Sequence, residues 1–345
     1  MTNAKRVLLL AGGRSSERAV SLASGEAVRN GLTDLGHDVF AVEIAHDGRW
    51  YETVAFAPGK EPAGDPLVVT PGAGAFDVDV VFPVLHGPFG EDGVIQGMLE
   101  ALDVPYVGAG VAASAICLDK LLFKDLAARA DVPQVHYVAI HAADWHGDER
   151  RRAALLDDVA ALGFPCFVKP ARLGSSVGIS RVGERDGLES AIELALGYDP
   201  RVIVEAGSPG DEIECSVIGN GELDVSQPGK IEFDADWYDM DAKYEAGGMR
   251  LIAPAPISES LEIEICAMAA KVYKLVGCSG MARVDFFVEA GNKVLVNELN
   301  TIPGFTQTSV FAKLFEASGL AYGELLDRLL ELAIERHASE RTFTF

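Results

Sequence analysis

Residues 283–300 read RVDFFVEAGNKVLVNELN. Val, Phe and Leu fill the stretch on both sides of Ala-Gly-Asn, the composition of two β-strands joined by a tight turn. With Gly291-Asn292 as a two-residue turn, Ala290 faces Lys293, Asp285 faces Glu298 and Arg283 faces Asn300. Side chains alternate with period two, so these last four polar residues share one face, with facing Cβ atoms about 4.5–5.5 Å apart. Two carboxylates at that separation repel unless a proton, a cation or a divalent metal lies between them. Asp, Glu and Asn are the oxygen donors that suit Mg2+ together with substrate phosphates. The alternative is a structural ion network in which Arg283 alone neutralises the pair. Everything here depends on register, because a one-residue change in loop length carries one carboxylate to the other face.

Outward from the hairpin, the first third alternates strand and helix. RVLLLAGG (6–13) is a strand entering a glycine turn, RAVSLASGEAVRNGLTDLG (18–36) a helix ending on Gly36, and DVFAVEI (38–44) a second strand. Residues 46–75, rich in Gly and Pro, read as loop with short elements; DVVFPVLHG (79–87) is a strand and GVIQGMLEALD (93–103) a helix. That alternation indicates an α/β domain with a parallel sheet. CLDKLLFKDLAARADVP (117–133) reads as one helix, and 141–152 as a loop or helix entry. Strands follow at 135–140, 164–182 (two, around a Gly/Ser loop), 201–207 and 211–220, an α+β middle section. The last third holds the loop 234–249, the helix 259–277, the hairpin, and a closing helix near 320–337.

The chain has 345 residues, enough for two or three domains. Its formal charge of −23, from 29 basic and 52 acidic residues, argues against nucleic acid or an anionic membrane as partner. A few lysines in a cleft still suffice for an anionic small molecule. Five scattered cysteines without a C-x-x-C pair read as reduced thiols in a cytosolic protein. The first residues do not form a signal peptide, and no segment approaches the length of a membrane span.

Four further stretches carry polar groups at element ends. KPARLGSSVGIS (169–180) ends a strand on Lys169 and enters a Gly/Ser turn, which exposes backbone N–H groups to phosphate or simply closes a hairpin. LHGPFGEDGVIQG (85–97) sets His86 and four glycines between strand and helix, a ligand approach or a structural histidine. AGGRSSER (11–18) lies at the C-terminal end of the first strand, where open α/β sheets bind ligands; Glu17 there meets a cation or serves the helix dipole. WYDMDAKYEAGG (237–248) has neither period and reads as an exposed lid.

In their order along the chain these stretches, with LDK at 118–120 and NTIPGFTQTSV at 300–310, resemble the D-alanine–D-alanine ligases of the ATP-grasp superfamily. The resemblance implies a three-domain ATP-grasp fold: an N-terminal parallel-sheet, substrate-binding domain over 1–116, a central ATP-grasp subdomain over 117–208, and a C-terminal catalytic subdomain over 209–345. It implies that ATP phosphorylates one D-alanine, that the amine of a second attacks the acyl phosphate, and that the dipeptide enters peptidoglycan precursor synthesis. By the same resemblance Asp285, Glu298 and Asn300 hold Mg2+ or Mn2+, two ions, and Lys120, Lys169 and Lys243 meet the phosphates. Ser176 joins the ATP contacts, Glu212 takes the ribose hydroxyls and Glu205 lies in the adenine segment, where Ala206, Gly207 and Ser208 replace the family's large apolar residues. Arg283 and the Gly304 N–H face the oxyanion. Glu17 with His86 binds the first ammonium, Ser309 the second carboxylate, and Ser175, Tyr244 and Glu17 form a hydrogen-bonded set. Tyr244 favours an amine over a hydroxyl as nucleophile. The family implies a cytoplasmic homodimer. The rivals are a ligase with another acceptor, such as D-lactate or D-serine, and a non-catalytic ATP-binding regulator.

Overall fold

The computed structural model describes residues 4–70, 77–233 and 249–344 and arranges them around three sheets. The first sheet takes β1 (Arg6–Gly12), β2 (Asp38–Ile44), β3 (Trp50–Glu52) and β4 (Val80–Pro83) in the order β3-β2-β1-β4. β1 pairs parallel with both β2 and β4, and only β3, at the edge, runs antiparallel. α1 (Arg18–Asp34) lies on this sheet through Leu22, Val28 and Leu32, one helical stripe. It sits so close that a Cβ on Gly25 would stand 2.5 Å from the Ala11 Cβ. α2 (Val94–Ala101) covers the other face through Ile95 and Leu99.

The stretch 117–133, expected as a single helix, holds the last residues of α3 (Val111–Leu118) and the whole of α4 (Lys120–Arg129). The chain breaks between them at Asp119, which is extended and accepts the Leu122 N–H as the N-cap of α4. The second sheet follows: β5 (Tyr137–His141), β6 (Cys166–Pro170), β7 (Ser180–Val182) and β8 (Arg201–Ala206), all antiparallel in the order β5-β8-β6-β7. The polar stretch 141–152 becomes the short α5 (Ala142–Trp145) and the start of α6 (Glu149–Ala161). With α7 (Leu188–Leu196), these helices bury Trp145, Val159, Leu188 and Ile192 against the sheet.

The third sheet holds β9 (Asp211–Gly219), β10 (Leu223–Val225), β11 (Gly229–Phe233), β12 (Met249–Ile252), β13 (Gly280–Glu289) and β14 (Lys293–Asn300). Its path is β12-β11-β9-β13-β14, with β10 beside β9. α8 (Glu259–Leu275), capped by Ser258, packs Leu261, Ile265, Ala269 and Val272 on one face of it. α3 and α4 bury Ala113, Phe123 and Ala127 in the same core. α9 (Val310–Ala317) and α10 (Tyr322–Glu340) close the chain, and α10 returns to the first sheet, burying Leu325, Leu329 and Leu330 beside Val7 and Phe82. The two bodies meet closely: a Cβ on Gly280 would stand 2.8 Å from the Gly108 backbone.

The hairpin departs from the expected turn. Glu289 pairs with Lys293, so three residues, Ala290, Gly291 and Asn292, form the loop. That choice turns Val294 and Val296 into the core with Phe286, where a two-residue turn would have sent Leu295 and Asn297. The register then slips back. Phe286 pairs with Val296 but Asp285 with Glu298, leaving Asn297 as the extra residue of a β-bulge. The two deviations cancel. Asp285 faces Glu298 and Arg283 faces Asn300, as the sequence implies, while Leu299 returns to the core.

Candidate active site

A cleft of about 790 Å³ opens where the three sheets converge. The 283–300 hairpin forms its floor. Arg283, fixed by pairing on both sides (Ser216 of β9 and Asn300 of β14), sends its guanidinium to Asp285, with Nε 2.7 Å from Oδ1 and Nη2 2.7 Å from Oδ2. Its Nε also lies 2.9 Å from Glu214 Oε2. Asn300 Nδ2 donates to Asp285 Oδ2 at 3.0 Å. β9 adds carboxylates to the same face, because Glu214 pairs with Asp285 and Glu212 with Phe287. Burial would lower the pKa of Arg283, but Asp285 and Glu214 raise it well above its ordinary value.

The cations come from the middle of the chain. Lys120, first residue of α4, donates to the Leu173 carbonyl at 2.7 Å and stands 3.8 Å from Glu298. Lys169, at the end of β6, lies 2.5 Å from Glu205. Burial opposes the charge of Glu298, yet Lys120, Lys169 and Arg283 pull its carboxyl below the usual range. The Gly/Ser loop between β6 and β7 holds Ser175 and Ser176 at φ of 49° and 61°, a left-handed backbone that serine adopts at a cost. That conformation aims the Ser175 hydroxyl at Glu17 Oε1, to which it donates.

Glu17 and His86 bring the first sheet to the cleft. Burial raises the Glu17 pKa, while Ser175 and Lys120 draw it back without cancelling the shift. His86 Nε2 lies 3.3 Å from Ser24 Oγ, and burial pushes the imidazole down to about 4. Ser24 also accepts the Phe305 N–H at 3.1 Å, tying α1 to the segment after β14. There Gly304 and Ser309 line the cleft, and Ser309 Oγ accepts the Thr306 N–H at 3.0 Å.

Glu212 and Ser176 also line the cleft. Glu205 is placed differently. Its carboxylate is buried behind the wall between Lys124 and Lys169, which hold it down to about 2 against the effect of burial. Lys243 and Tyr244 lie outside the described residues. Three further side chains were absent from the expected set. Glu91 accepts the Gly87 N–H at 2.6 Å and the Ile302 N–H at 3.4 Å, and burial beside Glu17 pushes it up to about 8. Burial, opposed by Arg283 and aided by Asp285, raises Glu214 to about 8. Lys124 is the third. Glu91 sits inside the quoted HGPFGEDG, and Glu214 is two residues from Glu212 on one strand, so both were within reach of the period-two and glycine arguments. Lys124 looked like any helix lysine.

Among the described residues, six carboxylates line the cleft (Glu17, Glu91, Glu212, Glu214, Asp285 and Glu298) against three permanent cations, Lys120, Lys169 and Arg283. The described residues hold no group of three or more His, Cys, Asp or Glu side chains gathered as for a metal. Asp285, Glu298 and Asn300 instead offer the two carboxylates and one amide with which Mg2+ is bound when phosphates and water complete its shell.

Two families match the chain. The one described as D-ala D-ala ligase N-terminus matches residues 6–109, and the one described as D-ala D-ala ligase C-terminus matches residues 126–331. A D-alanine–D-alanine ligase of Deinococcus radiodurans is 44% identical over 338 residues, covering 96% of this chain and 99% of the relative. One of Geobacillus kaustophilus is 40% identical over 363 residues, covering 99% and 97%. Among solved structures, the D-alanine–D-alanine ligase of Coxiella burnetii superposes with a TM-score of 0.85 at 37% identity, covering 98% of this chain and 96% of that one. The VanG D-Ala:D-Ser ligase of Enterococcus faecalis gives 0.83 at 34% identity, covering 96% and 100%.

Proposed function

The chain belongs to the D-alanine–D-alanine ligase family, and from that premise we propose how its cleft joins two D-alanines at the expense of ATP. The observation that carries the reading is the meeting of three chemistries in one cleft: the Arg283–Asp285–Glu298–Asn300 face, the lysines Lys120 and Lys169, and the Glu17–Ser175 pair. The units 1–116, 117–208 and 209–345 each bring one part.

ATP is a substrate, with its phosphates against Lys120, Lys169, Lys243 and Ser176 and its ribose against Glu212. Glu205 belongs to the adenine side through its strand, and its carboxylate sets the charge and direction of Lys169. Asp285, Glu298 and Asn300 would hold two Mg2+ or Mn2+ ions, which would supply positive charge to offset that of the ATP phosphates. The first D-alanine places its ammonium at Glu17, beside His86, and presents its carboxylate to the γ-phosphate. Ser309 takes the carboxylate of the second, whose amine attacks the acyl phosphate. The Arg283 guanidinium and the Gly304 N–H face the oxygen on which negative charge develops. Ser175, Glu17 and Tyr244 form a hydrogen-bonded set beside the first substrate. Phosphoryl transfer needs positioning and charge neutralisation above all, which this donor set supplies.

Peptidoglycan precursor synthesis consumes the product. The work takes place in the cytoplasm, which the free thiols of all five cysteines suit, and in a homodimer, for which the adjacent exposed Val94 and Val111 offer apolar surface. No helix among the described residues is long and apolar enough to cross a membrane.

Purified protein given ATP, Mg2+ and D-alanine should release phosphate and D-alanyl-D-alanine in equal amounts, with parallel arms offering D-serine or D-lactate as second substrate. Phosphate release only in the D-lactate or D-serine arm would overturn the acceptor. ATP binding without turnover in any arm would favour a regulator.

A further inference from the structure

Lys124 has a place in the structure that its sequence context gives no reason to expect. It follows Lys120 by one helical turn on α4, and its side chain is only 1% exposed. Its ammonium stands 2.9 Å from Glu205 Oε1 and 3.5 Å from the carbonyl oxygen of Asn297. Asn297 is the extra residue of the β14 bulge. A bulge leaves the added residue outside the ladder, and β14 is the edge strand of its sheet, so among the described residues no further strand pairs along it beyond the Gln134–Val296 bridge. Neighbouring contacts come from the same segment. The Val296 N–H donates to the Pro133 carbonyl at 2.8 Å, Gln134 bridges to Val296, and Gln134 Nε2 donates back to the Lys124 carbonyl at 2.8 Å.

The bulge decides where Glu298 and Asn300 point. A regular ladder continued from the Phe286–Val296 pair would place Asn297 opposite Asp285 and turn Glu298 toward the core that holds Val284 and Leu299. We propose that Lys124 is a positioning residue for the ligase reaction: its ammonium grips the bulge at Asn297 and so fixes Glu298 and Asn300 on the face they share with Asp285 and Arg283. Glu205 lets the ammonium be buried as a charge, and it is shared with Lys169 on the phosphate side of the same wall. The α4 helix thus carries one lysine into the cleft and a second behind it, and both act on the hairpin.

The inference rests on reading that face as the nucleotide and metal site, and the test separates the two. Lys124→Met leaves Glu205 paired with Lys169, so it is the decisive variant; Lys124→Arg is the conservative control. Hydrogen exchange of the backbone amides in residues 294–300 should quicken by about tenfold in Lys124→Met while α8 and α10 exchange as in wild type. Calorimetric affinity for MgADP should fall by about tenfold, with the KM for D-alanine within about twofold of wild type. Lys124→Arg should recover most of both. Wild-type exchange in 294–300 would overturn the grip on the bulge and show that Lys124 only neutralises Glu205. A uniform rise in exchange across the chain would overturn it as well, by showing a general structural role. Faster local exchange with unchanged MgADP affinity would overturn the assignment of the face to the nucleotide, and with it the role given to Lys124.

Discussion

The Arg283 side chain holds both of its possible meanings at once. In this structure its guanidinium pairs with Asp285 and lies beside Glu214, the ion-network reading; it also lines the cleft, as the oxyanion reading requires. The discriminating residue is Glu298, whose charge is drawn down by Lys120 and Lys169 as well as Arg283. Glu298→Gln keeps the shape and loses the charge. It should lower kcat by about 10² or more with little change in Tm, since one preorganised charged group at a reacting phosphate is worth that much; wild-type kcat at saturating Mg2+ would remove Glu298 from the metal site. His86 makes a pH prediction. Its folded value is about 4 against an ordinary 6.5, so below the ordinary value the unfolded chain takes up a proton that the folded chain refuses. Stability should fall as pH drops from 6.5 toward 4, by up to about 3 kcal/mol from this residue. His86→Gln should flatten that acid limb in thermal melts between neutral pH and pH about 5; an unaltered limb would mean the imidazole is not held neutral.

At the scale of elements, period-two and helical stripes revealed most of the strands and the long helices, because each buries one face. Where they misled, a local group outweighed the pattern. Residues 117–133 read as one helix, but Asp119 divides them by capping α4 and by pairing with Arg201 on β8. This cap sets the start of α4, and with it the position of Lys120. Asp119→Ala should cost about 2 kcal/mol, of which the cap accounts for about 1, and raise the KM for ATP; Asp119→Asn, which can still cap, should lose less. Equal losses in both would put the whole effect on the Arg201 pair. The hairpin teaches the converse. A wrong turn length and an unforeseen bulge gave the right facing pairs, because the hydrophobic residues on both strands demand them.

Across the whole molecule, α10 closes the chain onto the sheet with which it begins. Arg336 on that helix donates to the Gly108 carbonyl at 2.5 Å, to the Tyr106 carbonyl at 3.2 Å and to Ser279 Oγ at 3.0 Å, with its guanidinium 4.1 Å from the Tyr106 ring. It therefore joins the first body to the third beside the Gly108–Gly280 contact. Arg336→Met should destabilise by about 3 kcal/mol, because it leaves buried carbonyls without donors. Denaturant unfolding should broaden or split as the two bodies uncouple; a single sharp transition at the wild-type midpoint would show that the apolar contacts of α10 suffice.

The sequence by itself determined the family, the parallel first sheet, the hairpin face and the ordered motifs that line the cleft. Those are local facts: alternation, glycines at turns, and polar residues at strand ends. Tertiary structure alone decided which charges neutralise which. Glu205 joined two lysines behind the wall, burial beside other carboxyl groups pushed Glu91 and Glu214 up to about 8, and Lys124 met a bulge 173 residues away. The reason is physical. The strength of an ionic interaction depends on distance and burial, and neither is set for a pair of residues until the chain has folded around them.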